Sequence, residues 1–358
     1  MELFPDLPDD IGIECLIRVP YYNLSSVSSV NKRWKKEIEL PEFWRRRKAA
    51  GFTRKLVVMA QARVDPTRIT GGTKYSETPV YRLTICEPDT GYWAELPPVP
   101  GYSDGLPMFC QLAGVGTNLV VMGGWKPSTW EVSNEVFVYN FVSAKWRRGS
   151  DMPGCRRSFF ACAADTDRTV YVAGGHDMDK NALTSAMAYN VASDEWVALP
   201  DMATERDECK GVFHGGKFHV VGGYITDMQG RFGTSAESFD LSTWKWDPVD
   251  EDFLEDATCP RTCVDAEDGR MYMCRRADLA AVTPEGNSQW QTVAELPSDV
   301  RNIGCVMGWQ GKVFVAGCPG LNELYRVYIW DSRSNTWTKV EAPENFSGHI
   351  QAACCLEM

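Results

Sequence analysis

A tryptophan returns at Trp93, Trp146, Trp196, Trp246, Trp290 and Trp337, spaced by 44 to 53 residues. Recurrence at that period means one supersecondary unit used six times, not one core built once. Three units read nearly alike. Leu119-Val120-Val121-Met122-Gly123-Gly124, Val170-Tyr171-Val172-Ala173-Gly174-Gly175 and Phe218-His219-Val220-Val221-Gly222-Gly223 are apolar strands ending in a glycine pair. The pair permits positive φ or close backbone approach at the strand end. Some 20 residues on, each unit reaches an aromatic residue (Tyr139, Tyr189, Phe239) and then its tryptophan.

Weaker copies extend the series both ways. Val57-Val58-Met59-Ala60-Gln61 leads to Tyr81 and Trp93, Met271-Tyr272-Met273-Cys274 to Trp290, and Val313-Phe314-Val315-Ala316-Gly317-Cys318 to Tyr328 and Trp337. Five of the six units carry an extra apolar strand ahead of the main one, at 108–113, 159–164, 209–213, 262–266 and 303–307. The first unit lacks it. Ile350-Gln351-Ala352-Ala353-Cys354-Cys355-Leu356 fits the missing place and is expected to complete the first unit as its innermost strand, removing an open sheet edge. The pattern resembles the kelch repeat, which implies a mainly β fold: a six-bladed propeller over residues 51–358 closed by the C-terminal strand. In such a ring the aromatic residues pack between blades, with each indole N–H finding an acceptor.

Residues 1–50 differ from the rest. Asp9-Asp10 after Pro8 suits the start of a helix, and Ile11, Leu16 and Val19 form an apolar stripe ending at Pro20. Asn23 or Ser25 can cap a second helix bearing Leu24, Val27 and Val30, and a third runs through Trp34 and Ile38 to Pro41. Residues 42–50 add a turn or two ending at Gly51. A module this small is marginal alone. Periodicity leaves open whether its stripe packs on the following domain or on another protein.

Leu7-Pro8-Asp9-Asp10-Ile11, Cys15-Leu16-Ile17-Arg18-Val19-Pro20, Val30-Asn31-Lys32-Arg33-Trp34 and Pro41-Glu42-Phe43-Trp44 resemble the F-box pattern over about 45 residues. Asn31 departs from it, where F-boxes often carry cysteine. The resemblance implies a small all-α F-box that docks on a Skp-type adaptor and through it on a cullin. Leu7, Pro8, Ile11, Leu16, Ile17, Val19, Pro20 and Trp34 are the expected adaptor contacts.

Charge and chemistry narrow the function. The net charge is −11, which disfavours nucleic acid and anionic membrane surfaces as partners. Residues 1–50 hold nine Lys/Arg against eight Asp/Glu, about +1, leaving −12 to the remainder. Arg45-Arg46-Arg47-Lys48 reads as the solvated face of a linking helix or a nuclear signal. Residues 1–10 carry four acids and no basic n-region, so no signal peptide is expected. Thirteen cysteines, many within apolar runs, read as reduced thiols of the cytoplasm or nucleus. Four histidines, no zinc spacing, no phosphate-cradling loop and no serine elbow leave no catalytic set, metal or cofactor to expect.

One constellation remains. Aligned on the tryptophans, Arg156 and Arg206 match, and Arg261 and Arg301 hold the comparable place before the next inner strand. Four guanidiniums at one mouth of the channel would form a cationic site suited to carboxylates, flanked by Arg157 and by His176 or Tyr224. Pairing with neighbouring acids such as Glu205 and Asp207 is the alternative. The whole chain resembles plant F-box/kelch proteins, non-catalytic substrate-recognition subunits of ubiquitin ligases. Relatives in that group target phenylpropanoid enzymes, such as phenylalanine ammonia-lyase or chalcone synthase, or cytokinin response regulators. A ligase-independent kelch scaffold is the rival reading.

Overall fold

A computed structural model describes residues 3–64, 79–165, 167–283, 289–320 and 323–358. Six four-stranded antiparallel sheets are arranged as blades. Their inner strands are Ile350–Glu357 (blade 1), Gln111–Val115 (blade 2), Ala161–Ala164 (blade 3), Lys210–His214 (blade 4), Val264–Asp265 (blade 5) and Asn302–Trp309 (blade 6). Each touches the next in cyclic order, so the ring is closed. Closure comes as the repeat count requires: Ile350–Glu357 pairs with Lys55–Ala62, joining the C-terminal strand to the first sheet.

Burial follows position in the blade. The second strands (Asn118–Met122, Thr169–Ala173, Lys217–Val221) are buried along nearly their whole length, whereas outer strands such as Lys145–Gly149 and Glu195–Leu199 keep mostly exposed residues. Apolar side chains form six clusters, and each lies between consecutive blades. Within the ring a blade therefore buries its faces against its neighbours, and blades 1 and 2 bury further surface against the helices. The inner strands approach closely enough that a Cβ on Gly211 would lie 2.6 Å from the backbone nitrogen of Cys162.

The six tryptophans do more than fill space. Each indole Nε1–H donates to a backbone carbonyl where the preceding blade's outer edge ends: Trp93 to Glu341, Trp146 to Pro97, Trp196 to Ser150, Trp246 to Pro200, Trp290 to Phe253 and Trp337 to Glu295, at 2.7–3.1 Å. Tyr139, Tyr189 and Phe239 stand opposite their tryptophans as expected. The outer repeats differ: Cys86 faces Trp93 and Trp330 faces Trp337, so Tyr81 and Tyr328 do not occupy that register.

Four helices precede the ring: α1 (Asp9–Leu16), α2 (Leu24–Val30), α3 (Lys32–Ile38) and α4 (Pro41–Ala49). Helix α1 stops at Leu16, short of Val19. Its end is held by the guanidinium of Arg47, which donates to the carbonyls of Ile17 and Val19, both at 2.6 Å. These are orphan acceptors that a helix terminus must satisfy. The basic run is therefore not uniformly solvated: Arg45 and Arg46 pair with Glu42, Lys48 with Glu357, and Arg47 is buried, its pKa lowered by that burial to about 10. Asn31, the departure from the F-box pattern, caps α3 by accepting the Arg33 N–H at 2.8 Å. That is a favoured use of asparagine.

The helices sit on blades 1 and 2. Leu16, Ile17, Tyr21, Leu24, Ile38 and Phe43 share one apolar cluster with Leu83, Ile85, Leu119 and Phe141. The Tyr21 hydroxyl donates to Glu87 at 2.6 Å inside this interface, and burial raises its pKa.

Candidate functional site

Strand alternation sorts the loops to two ends of the ring. Hairpins joining first to second strands, together with α4, lie at one end. Loops entering inner strands and loops following the glycine pairs lie at the other, here called the rim, where they pair through the bridges Met108–Trp125, Ser158–His176 and Asp207–Tyr224.

At the helical end, the expected adaptor residues divide. Pro8, Pro20 and Ile11 are exposed, Ile11 at 45%. Leu7, Val19 and Trp34 are half-buried, and the Trp34 indole is held by the Leu3 carbonyl at 2.7 Å and packed on Phe4. Leu16 and Ile17 are turned inward at 2% and 0% exposure, where they build the junction with the ring. Three apolar residues outside the expected set are exposed: Val30 at 70%, Tyr22 at 65% and Leu40 at 39%. Val30, placed by the sequence on the second helix, ends α2 and points outward. Unpartnered apolar positions at helix ends were the available signal.

At the rim the four arginines do not form a ring. Arg206 is buried at 2% and serves as a staple within blade 4. It donates to the carbonyls of Gly222 (2.9 Å) and Ser235 (3.0 Å), to Ser235 Oγ (2.9 Å) and to Glu237 (3.1 Å). Its counterpart in blade 3 is Arg157, not Arg156. Arg157 is buried and reaches Gly174 O, Ser185 O and Ser185 Oγ in the same pattern. The tryptophan alignment missed by one residue. Position 187, where blade 4 has Glu237, is methionine in blade 3, and Arg157 Nε is left without a partner.

Arg156, Arg261 and Arg301 are exposed at the rim. Their contacts are to backbone carbonyls: Val132 at 3.5 Å, Ile303 at 2.7 Å and Ser298 at 3.5 Å. Among the described residues none of the three makes an ion pair. They supply cationic charge to the rim, and Arg206 supplies none.

His176 is likewise internal. Its Nε2 lies 2.9 Å from Ser158 Oγ and its Nδ1 2.8 Å from Asp207. The order Ser–His–Asp is that of a hydrolytic triad, but Ser158 is 0% exposed and a substrate has no approach to it. The line joins blade 3 to blade 4. Tyr224 bonds Glu208 at 3.0 Å.

A central channel of about 1000 Å³ runs along the inner strands to the helical end, where Trp44 and Lys48 of α4 border it. Its wall includes Cys162, Cys263, Cys354 and Cys355, and burial pushes the Cys162 and Cys263 thiols up to about 12. Among the described residues no cluster of His, Cys, Asp and Glu is arranged to hold a metal, and no helix is long and apolar enough to cross a membrane.

Comparison with known proteins agrees with this architecture. The F-box domain pattern matches residues 4–46, and the kelch motif matches 109–153 and 156–203, which are blades 2 and 3. F-box/kelch-repeat protein At1g15670 of Arabidopsis thaliana is 48% identical over 362 residues, and At1g80440 is 48% identical over 365, each alignment covering both chains completely. At2g44130 of the same plant is 35% identical, with 73% of this chain and 68% of its own covered. A helical F-box seated on a six-bladed kelch ring, with relatives of the same build along its full length, places this chain in the plant F-box/kelch-repeat family.

Proposed function

We propose that this protein is the substrate-recognition subunit of a Skp–cullin–F-box ubiquitin ligase. The F-box holds a Skp-type adaptor and, through it, a cullin, while the rim of the propeller holds the protein to be modified. The chain itself performs no bond chemistry; it raises the concentration of target lysines near the charged enzyme. The observation that carries this reading is the division of the F-box surface. Its inner side is used up against blades 1 and 2, yet Ile11, Tyr22 and Val30 stay exposed. Exposed apolar side chains of this kind are suited to a partner. All thirteen cysteines are free, in keeping with a reducing compartment, the cytoplasm or nucleus.

The test is a pull-down of a Skp-type adaptor by the intact chain and by the Ile11→Asp/Val30→Asp variant, with circular dichroism confirming that both are folded. Adaptor retention by the wild type and at least a tenfold loss in the variant are expected. A folded wild type that binds no adaptor would overturn the ligase reading and favour a kelch scaffold.

The family resemblance offers as target class a regulatory protein or a phenylpropanoid-pathway enzyme such as phenylalanine ammonia-lyase. The enzyme's half-life in plant cells lacking this chain is expected to lengthen. An unchanged half-life would discard that target.

A further inference from the structure

Three bulky aromatic residues stand at the rim of blades 2 and 3 in left-handed backbone conformations: Phe109 (φ 60°), Phe159 (φ 53°) and Trp130 (φ 57°). Such a conformation is costly for a residue with a large side chain. The repeat does require the conformation, because the corresponding turns contain Glu208 (φ 49°) and Lys180 (φ 63°). Those two also show that the turns need no aromatic ring. Trp130 is 53% exposed and Phe109 39%, so neither is placed there to fill the core. Phe109 and Phe159 pack together with ring centroids 4.7 Å apart.

The cation beside them has, among the described residues, only one long hydrogen bond. Arg156 is exposed, makes no ion pair among the described residues, and lies against the carbonyl of Val132, the residue that closes the Trp125–Val132 bridge at the base of the Trp130 loop. An exposed cation without a strong acceptor, next to exposed rings, describes one half of an interface.

We propose that the rim between blades 2 and 3 is the target-docking site, and that it takes an extended segment of the target carrying an acidic residue close to a large apolar one. The carboxylate is received by the Arg156 guanidinium. The apolar side chain lies on Phe109 and Phe159, and Trp130 covers it. This rests on the substrate-recognition reading above and names the chemistry that reading leaves open. Charge complementarity selects the occupant: an apolar segment without acid leaves the Arg156 charge unpaired, and a basic one meets Arg156 with like charge.

The test is selection of a random 12-residue peptide library on the full-length chain, followed by binding of enriched peptides to three variants. Trp130→Gly removes the indole and relieves the backbone, so it folds. Arg156→Glu reverses the charge on an exposed side chain. Arg276→Ala, on the rim of blade 5, is the control. Enriched peptides are expected to carry Asp or Glu within three residues of Phe, Trp, Leu or Met, and to bind Trp130→Gly and Arg156→Glu at least tenfold more weakly while ignoring Arg276→Ala. Enrichment of peptides without that pairing, equal binding to all variants, or no enrichment overturns the proposal. So does self-association of the chain that Trp130→Gly abolishes, since the occupant would then be a second copy. Adaptor binding, measured on the same variants, is expected to be unchanged. Its absence from the wild type beside a successful selection would remove the ligase reading and leave this site standing.

Discussion

Arg54 and Met358 exchange both backbone hydrogen bonds, N–H to O at 2.6 and 2.8 Å. The pair continues the Lys55–Ala62/Ile350–Glu357 ladder to the point where the F-box helices meet the ring. Met358 itself is 0% exposed in the cluster shared by helices and blades, and Glu357 beside it binds Thr53 (2.8 Å) and Lys48 (2.7 Å). Deleting residues 350–358 bares the edge of Lys55–Ala62 and is expected to abolish the cooperative thermal transition, not merely lower it. A deleted chain that stays monomeric and melts like the full chain would show that closure is dispensable.

The tryptophan bonds are expected to matter according to their burial, most for Trp290 and less where water reaches the acceptor. Trp246→Phe removes the 2.7 Å bond to the Pro200 carbonyl while keeping most of the ring contact with Phe239. The loss should be about 0.5–1.5 kcal/mol, the net worth of one hydrogen bond whose acceptor water can reach. Urea denaturation reads it as a lower midpoint at unchanged slope.

Blades 3 and 4 offer a matched exchange. Glu237→Met leaves Arg206 buried beside an apolar side chain, and breaking such a pair costs about 3–5 kcal/mol. The reverse change in blade 3, Met187→Glu, supplies Arg157 Nε with the partner it lacks. Its stability should stay within about 1 kcal/mol of wild type, where an unpaired buried carboxylate would cost several. Thermal melts of the two single variants decide it.

His219 sets an acid limit. Burial lowers its pKa to about 4, with Nδ1 bonded to Ser238 Oγ at 2.7 Å and Nε2 near the His214 carbonyl at 3.3 Å. The unfolded chain takes the proton near pH 6.5 and the folded chain only near 4. Stability from the neutral ring is therefore full above 6.5 and lost as pH falls from 6.5 to 4, by roughly 3 kcal/mol. His219→Gln should flatten that part of a stability–pH profile; an unaltered slope would assign it to other groups.

Thiol reactivity should follow the same burial. Cys15 and Cys155 are exposed and should label within minutes at neutral pH. Cys86, Cys110 and Cys263, buried and all pushed up to about 12, should wait for denaturant. Mass spectrometry of the labelled chain distinguishes the two groups.

The ring was legible in the sequence because tryptophan is large and carries one N–H, so a structural tryptophan recurs wherever its acceptor does. Cys86 and Trp330 were missed because the outer repeats keep the register of their strands and not the residue type. Arg156 and Arg157 were confused because the loop from Trp146 to the next inner strand differs by one residue from its neighbour. The burial of Arg206 and Arg47 had no local signal. Their acceptors, Gly222 and Ser235 or Ile17 and Val19, lie 16 to 30 residues away, and a charged side chain far from its acceptors in sequence reads as exposed. Leu16 and Ile17 match the F-box pattern, but a pattern names positions without saying which side of the module they face.

Gln61 donates to the carbonyl of Phe346, 285 residues further along the chain, in the same blade that Ile350–Glu357 completes. A ribosome adding 5–20 residues per second needs roughly 15–60 s to cover that distance. Throughout that interval Lys55–Ala62 waits as an unpaired edge, and the F-box, made first, has no finished surface to rest on. Translation order thus leaves the F-box helices without their complete seat until Leu356 and Met358, which share their apolar cluster, have been made.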